Sequence, residues 1–242
     1  MNNVLISIIG PTGIGKTKLA IMLAQHFDTE IISADSRQFY KEMTIGTAVP
    51  SQEELAASPH HFIQHKSITE SYTVGDFERD AITRLEKLFQ AKEHVIMVGG
   101  SGLYCDAVTF GLDKFPEVDS HIRTDLNEKF KKEGVLCLQE MLEVLDPHYF
   151  KIVDTNNPHR LIRALEICLG TGKPYSSFLN KKKPKRNFKV LSVGLHGERN
   201  LIYERINNRV DAMIAEGLVE EAKKLYPFKK LNALQTVGYK EI

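Results

Sequence analysis

Tryptophan is absent from this 242-residue chain, and cysteine is nearly so, with only Cys105, Cys137 and Cys168. The three are odd in number and widely spaced, with no CxxC or CxxxC pair. That excludes a disulfide framework and a cysteine zinc site, and each reads as a buried small apolar side chain. No apolar run approaches the ~20 residues a membrane helix needs. The N-terminus enters an apolar strand with no basic segment or small-residue cleavage site, so a cytoplasmic location is expected and no membrane partner. Neither charge dominates: 32 Lys plus Arg against 31 Asp plus Glu leave +1. The protein is therefore not basic overall, although a neutral total leaves room for a local basic patch. Internal repeats are missing too, and the one biased stretch is Lys181-Lys182-Lys183-Pro184-Lys185-Arg186. That run reads first as a solvated loop and second as an RNA-backbone contact. What remains is ordinary globular composition, 42% hydrophobic and 26% charged, in a length between one domain and two at ~150 residues each.

Four short apolar runs, 4–9, 30–34, 95–98 and 190–195, are rich in Val and Ile and bounded by Gly, Asp or Ser. They suit strands buried on both faces of a parallel sheet. Helical period lies between them. Residues 16–27 carry Leu19, Leu23 and Phe27 on one stripe, and Thr73-x-x-Asp76 forms a capping box ahead of Phe77, Ala81, Leu85 and Leu88. Alternating strands and helices predict an α/β fold with a doubly wound sheet. The alternation breaks after Gly111. Residues 114–155 hold no strand but two helical stretches, one capped by Ser120 with Ile122, Leu126 and Phe130, the other with Leu138, Met141 and Leu145. This reads as a helical insertion in a core of 1–113 and 156–242. A further helix is expected over 158–169, ending at Gly170.

The strongest chemical signal is Gly10-Pro11-Thr12-Gly13-Ile14-Gly15-Lys16-Thr17, which fits GxxxxGK[ST], follows a predicted strand and opens a predicted helix. Backbone N–H groups in such a loop surround a phosphate, Lys16 adds a point charge, and the Thr17 hydroxyl can ligate Mg²⁺. The loop does not say whose phosphate. The 95–98 strand ends in Gly99-Gly100-Ser101-Gly102 rather than in an acid, which argues against an ATP-hydrolysing motor or switch. An acid stands instead at the end of another strand, in Asp35-Ser36-Arg37-Gln38. A carboxylate there can take a proton, hold a metal's water, or merely cap the next helix.

Further segments complete a recognisable set: Tyr40, Ile45-Gly46-Thr47-Ala48-x-Pro50, His60-His61, Tyr72-Thr73-Val74-x-Asp76-Phe77, Asn157-Pro158-x-Arg160-x-x-Arg163-Ala164-Leu165-Glu166 and Val237-Gly238-Tyr239-Lys240-Glu241. With the phosphate loop, the Asp35 turn and residues 99–104, they occur in an order that resembles the bacterial tRNA dimethylallyltransferase (isopentenyl-diphosphate:tRNA transferase) family over essentially the whole chain. The resemblance implies a P-loop NTPase-like parallel sheet flanked by helices, with a tRNA-contacting helical insertion. It also implies transfer of a dimethylallyl group from dimethylallyl diphosphate to the exocyclic amine of the adenosine 3′ of the anticodon, with Mg²⁺ as cofactor. Its partners would be tRNA and the prenyl diphosphate, and it would act as a monomer.

By the same resemblance, Asp35 and Ser101 are the catalytic pair, and residues 10–17 with Arg209 hold the diphosphate. Asp35, Ser36, Arg37, Gln38, Ser101, Arg123, His159, Arg160, Leu161, Ile162 and Arg163 meet the tRNA. Family members more often carry Thr where Ser101 stands and Gln where His159 stands. They also continue past the Val237-to-Glu241 segment into helices ending in a basic, tryptophan-containing stretch, so the want of tryptophan fits the absence of that stretch here. The phosphate loop alone leaves open a small-molecule kinase, a free-adenylate prenyltransferase or a non-catalytic P-loop RNA-binding module. His60, His61 and His65 read as structural or substrate-gating rather than as metal ligands, Arg160, Arg163 and Arg209 each have a salt-bridge reading, and Phe39 and Tyr40 are either core or a stacking platform.

Overall fold

The computed structural model describes residues 3–179 and 184–242. Two compact units emerge, Met1–Gly111 with Lys185–Ile242, and Leu112–Pro184.

The first unit is built on a parallel sheet of β1 (Val4–Ile9), β2 (Ile31–Ser33), β3 (His60–His61), β4 (His94–Val98) and β5 (Lys189–Gly194), in the order β3-β2-β4-β1-β5. The apolar runs alternate their side chains between two faces. Leu5, Ile32, Val95 and Met97 join one buried cluster, and Ile6, Ile8, Ile31, Ile96 and Val98 the other. Helix α1 (Lys16–His26) covers the second face with Ala20 and Ala24; it leads from β1 to β2. After the short α2 (Gln52–Ala57), α3 (Val74–Leu88) brings Phe77, Ala81 and Leu85 to the first face, where α4 (Gly102–Phe110) adds Cys105 and Val108. The capping box at Thr73 is present in full: its hydroxyl accepts from the Asp76 N–H while Asp76 accepts from the Thr73 N–H.

Because β4 lies between β1 and β2, the chain reverses direction of winding there. Val98 pairs with both Ile8 and Ser33, so the C-terminal ends of the three strands fall at one level of the sheet. Ligands gather at such an edge in doubly wound sheets.

The second unit holds α5 (Ser120–Glu133), α6 (Val135–Leu145), α7 (Pro147–Phe150) and α8 (Pro158–Thr171) around Leu126, Leu138, Leu142, Leu161, Ile162 and Leu165. Three sequence expectations change here. The helical unit extends to Pro184, past the expected limit at 155, because the apolar face of α8 packs on α5 and α6 rather than on the sheet. Asp119, not Ser120, caps α5, its carboxylate accepting the His121 N–H. Helix α8 runs through Gly170 and closes at Gly172 in a left-handed conformation. Back in the first unit, α9 (Arg199–Glu216) and α10 (Leu218–Leu225) follow β5. Among the described residues no helix is long and apolar enough to cross a membrane. The three cysteines are free and buried.

Candidate active site

A cleft of about 680 Å³ opens at the strand-end edge of the first unit. Thr12, Gly13, Gly15, Lys16 and Thr17 form its floor, Asp35, Arg37 and Gln38 one flank, and Ile206, Arg209, Val210 and Met213 of α9 the other. The loop between β1 and α1 has positive φ at Gly10, Gly13 and Gly15, the turns that let it curl round an anion. Lys16 Nζ donates to the carbonyls of Gly10 and Pro11 at 2.9 and 2.8 Å, closing the loop on itself. Burial lowers the Lys16 pKa; Asp35 opposes that shift and Arg209 reinforces it. Lys16, Asp35 and Arg209 are therefore electrostatic neighbours although they come from three elements far apart in sequence. Helix α9 crosses the loop closely, with Arg205 and Ile206 beside Gly13.

The end of β4 explains its missing acid. A Cβ on Gly99 would stand 2.3 Å from the Ala34 carbonyl carbon and oxygen, so no side chain fits there. Ala34 donates its N–H to the Val98 carbonyl at 2.8 Å, which holds the two strand ends together. The carboxylate this edge does carry is Asp35, whose Oδ1 accepts the Arg37 N–H at 3.1 Å. Ser101, the first residue after the Gly-Gly pair, turns toward Ser36: its Oγ accepts the Ser36 N–H and exchanges a hydrogen bond with the Ser36 hydroxyl, both at 3.0 Å. Ser101 is thus coupled to the Asp35 turn and does not itself line the cleft.

Two polar groups of that turn are already engaged within the protein. The Arg37 guanidinium donates to the carbonyls of Asn232 and Ala233 at 2.7 and 3.0 Å. The Gln38 amide donates to those of Thr47 and Ala48 at 3.1 and 2.9 Å. Phe39 and Tyr40 are buried in the core rather than exposed as a stacking platform. Of the histidines, His61 pairs with Glu30, His60 binds the Ser58 carbonyl and lines the cleft, and His65 sits among the rings of Phe39, Phe62 and Tyr72.

The remaining sequence candidates lie in the helical unit. His159 and Arg160 are exposed in the first turn of α8. Leu161 and Ile162 are not available to RNA: both are buried in the helical core, where they hold α8 in place. The Arg163 guanidinium donates to the buried Glu166 carboxylate at 3.0 Å and stacks on Phe115, and Arg123 approaches the same carboxylate at 3.7 Å. In the Lys-rich run, residues 181–183 lie outside the described residues. Arg186 is committed to Glu78 and the Ala107 carbonyl at 2.5 and 2.6 Å, so it is a structural cation rather than a free one.

Sequence reasoning gave no individual role to the apolar flank from α9 or to the wall formed by Gly46, Thr47, Ala48 and Pro50, although the segment holding that wall is one of those that carry the resemblance. Their place in the cleft is not readable from local pattern, because they share it with the phosphate loop only through the fold.

Comparison with known proteins agrees with this picture. A family model described as IPP transferase matches residues 38–242. A tRNA dimethylallyltransferase of Christiangramia forsetii is 64% identical across 100% of this chain and 80% of its own length. A second, from Flavobacterium johnsoniae, is 57% identical over 98% of this chain and 79% of its own. Among solved structures, the full-length tRNA isopentenylpyrophosphate transferase of Bacillus halodurans superposes with a TM-score of 0.67 at 37% identity, covering 100% of this chain and 76% of that one. A eukaryotic dimethylallyltransferase described as acting on tRNA gives a TM-score of 0.78 at 29% identity, over 95% of this chain and 57% of that one.

Proposed function

The chain belongs to the IPP transferase family, and from that premise we propose that it is a tRNA dimethylallyltransferase, moving a dimethylallyl group from its diphosphate to the exocyclic amine of the adenosine 3′ of the anticodon. The observation that carries the chemistry is the division of labour at the strand ends. The phosphate loop faces a carboxylate, Asp35, at the end of β2, while the end of β4 has no room for a side chain. A diphosphate that leaves intact needs a cradle, not a group that activates water.

In this reading the loop amides, Lys16 and Arg209 hold the diphosphate. The bond from the allylic carbon to the diphosphate oxygen breaks, and the electron pair departs with the diphosphate. A bond from the adenine nitrogen to that carbon forms, and the amine proton passes to Asp35. Val98, Ile206, Val210 and Met213 line the cleft and would keep water from the cationic allyl group. The Thr17 hydroxyl lines the cleft, an oxygen donor that suits Mg²⁺, which takes few protein ligands and keeps several waters. With the diphosphate bound, the ion would neutralise the leaving charge. The adenosine would have to leave its stack to reach Asp35. The exposed His159 and Arg160, with Arg163 and Arg123, are the side chains proposed to meet the anticodon stem-loop.

The test incubates the protein with dimethylallyl diphosphate, Mg²⁺ and unmodified tRNA and measures prenylated adenosine by mass spectrometry. Asp35→Ala is expected to keep tRNA affinity within a few-fold while losing about 10²–10⁴-fold in turnover, the usual range for a general base. ATP-dependent phosphorylation of a small acceptor, with no prenylated tRNA, would overturn the proposal in favour of a kinase. Tight tRNA binding with no product, indifferent to Asp35→Ala, would leave only an RNA-binding module.

A further inference from the structure

The cleft wall at residues 44–48 belongs to no helix or strand, yet its backbone is held from three sides. The Glu221 carboxylate, at the start of α10, accepts the N–H groups of Thr44 at 3.1 Å, Ile45 at 3.0 Å and Gly46 at 3.1 Å. The Tyr239 hydroxyl donates to the same carboxylate at 2.5 Å. Its phenol end lies against Gly46, where a Cβ would come within 2.7 Å of Cε2, Cζ and the hydroxyl oxygen. From the opposite side, the Gln38 amide donates to the Thr47 and Ala48 carbonyls. Ala48 has φ +49°, a left-handed conformation that a non-glycine residue keeps only when its surroundings impose it.

We propose that Glu221 and Tyr239 are positioning residues for the acceptor side of the cleft: they clamp residues 44–48 so that the wall stays in register with Asp35 and Gln38. The inference rests on the transferase reading above. The clamp is assigned to the acceptor side because of how the wall is connected. It joins the site through Gln38, whose own N–H donates to the Asp35 carbonyl at 3.1 Å. Among the described residues no hydrogen bond links 44–48 to the phosphate loop. A carboxylate that accepts three consecutive amides fixes their direction more firmly than any neutral acceptor does. Replacing one of its oxygens by an amide N–H puts a donor against donors, and the wall has to move.

The experiment compares Glu221→Gln and Tyr239→Phe with the wild type in the full chain. It reads kcat and KM for tRNA, binding of inorganic pyrophosphate by titration calorimetry, and hydrogen exchange at residues 44–46. Glu221→Gln is expected to lower kcat/KM for tRNA by about 10- to 100-fold, the scale of an ångström misplacement. Pyrophosphate affinity should stay within about 3-fold, and amide exchange at 44–46 should accelerate. Tyr239→Phe keeps the ring on Gly46 and loses only the hydroxyl, so a smaller loss in the same direction is expected. It decides the matter by the same readouts if Glu221→Gln does not fold. Wild-type kinetics in a folded Glu221→Gln, or equal losses in tRNA turnover and pyrophosphate affinity, would overturn the assignment. A wild type that prenylates no tRNA removes the transferase reading and this role with it, whereas an active wild type with unchanged variants removes only the role.

Discussion

At the scale of single residues, Gly99 is where the chemistry of this edge is decided. Its missing side chain lets the Ala34 carbonyl close over the end of β4, and Asp35 follows Ala34, two residues past the end of β2. Gly99→Ala sets a methyl against the Ala34 backbone, with no flexible side chain to give way. A loss of about 1–3 kcal/mol or more is expected, read from the urea midpoint. The altered strand end should also disturb the Asp35 turn. The same scale shows why residue type alone misleads. Arg37 and Gln38 look like RNA-reading groups, but backbone carbonyls occupy the guanidinium and the amide. Arginine on an exposed turn and arginine strapped to a C-terminal turn are identical in a string of letters.

At the scale of elements, α3 is the piece most fully written in local sequence. Its apolar stripe and its capping box both form as the spacing dictates. Thr73→Ala is expected to cost about 1 kcal/mol. The Asp76 pKa is lowered, first by the Thr73 backbone N–H and then by the Thr73 hydroxyl, with Arg79 adding to both. A depressed carboxyl pKa contributes stability above the unfolded value of 3.8 and loses it as pH falls through the folded value. Urea midpoints of wild type and Asp76→Asn should therefore differ at neutral pH and converge as the solution is acidified below that value. Convergence at neutral pH would show that the carboxylate carries no charge-dependent stability. Other elements are less legible. Strand β3 has two residues, too few to show a period, and its His61 is recognisable as sheet only beside its partner Ile32 in β2. Helix α9 has no buried residue, yet it supplies one flank of the cleft.

At the scale of the molecule, two units each own a hydrophobic core. The sheet carries clusters on both faces, and the helical unit a third around Leu138 and Leu142. Leu138 is fully buried, so Leu138→Ala is expected to cost about 2–5 kcal/mol. The destabilisation should fall on the helical unit, so calorimetric pyrophosphate binding at the cleft should be retained while a transition followed through the helical unit moves to lower denaturant. Loss of both together would show that the two cores unfold as one. The extent of that unit is not legible in the sequence because α8 carries the same helical period whichever core it joins. Only its packing on α5 and α6 assigns it.

The sequence by itself determined four of the five parallel strands, the phosphate loop, the carboxylate at the end of β2 and the family, because each rests on residues that are neighbours along the chain or repeat at a fixed period. The tertiary structure decided which polar groups remain free for a substrate. It tied up Arg37, Gln38 and Arg186, buried Leu161 and Ile162, turned Ser101 toward Ser36, and set Glu221 and Tyr239 behind the wall at 44–48. Those outcomes depend on partners up to about two hundred positions away, as in the Arg37 bond to Ala233 at a separation of 196. A hydrogen bond at that separation is fixed by packing, and no local pattern encodes it.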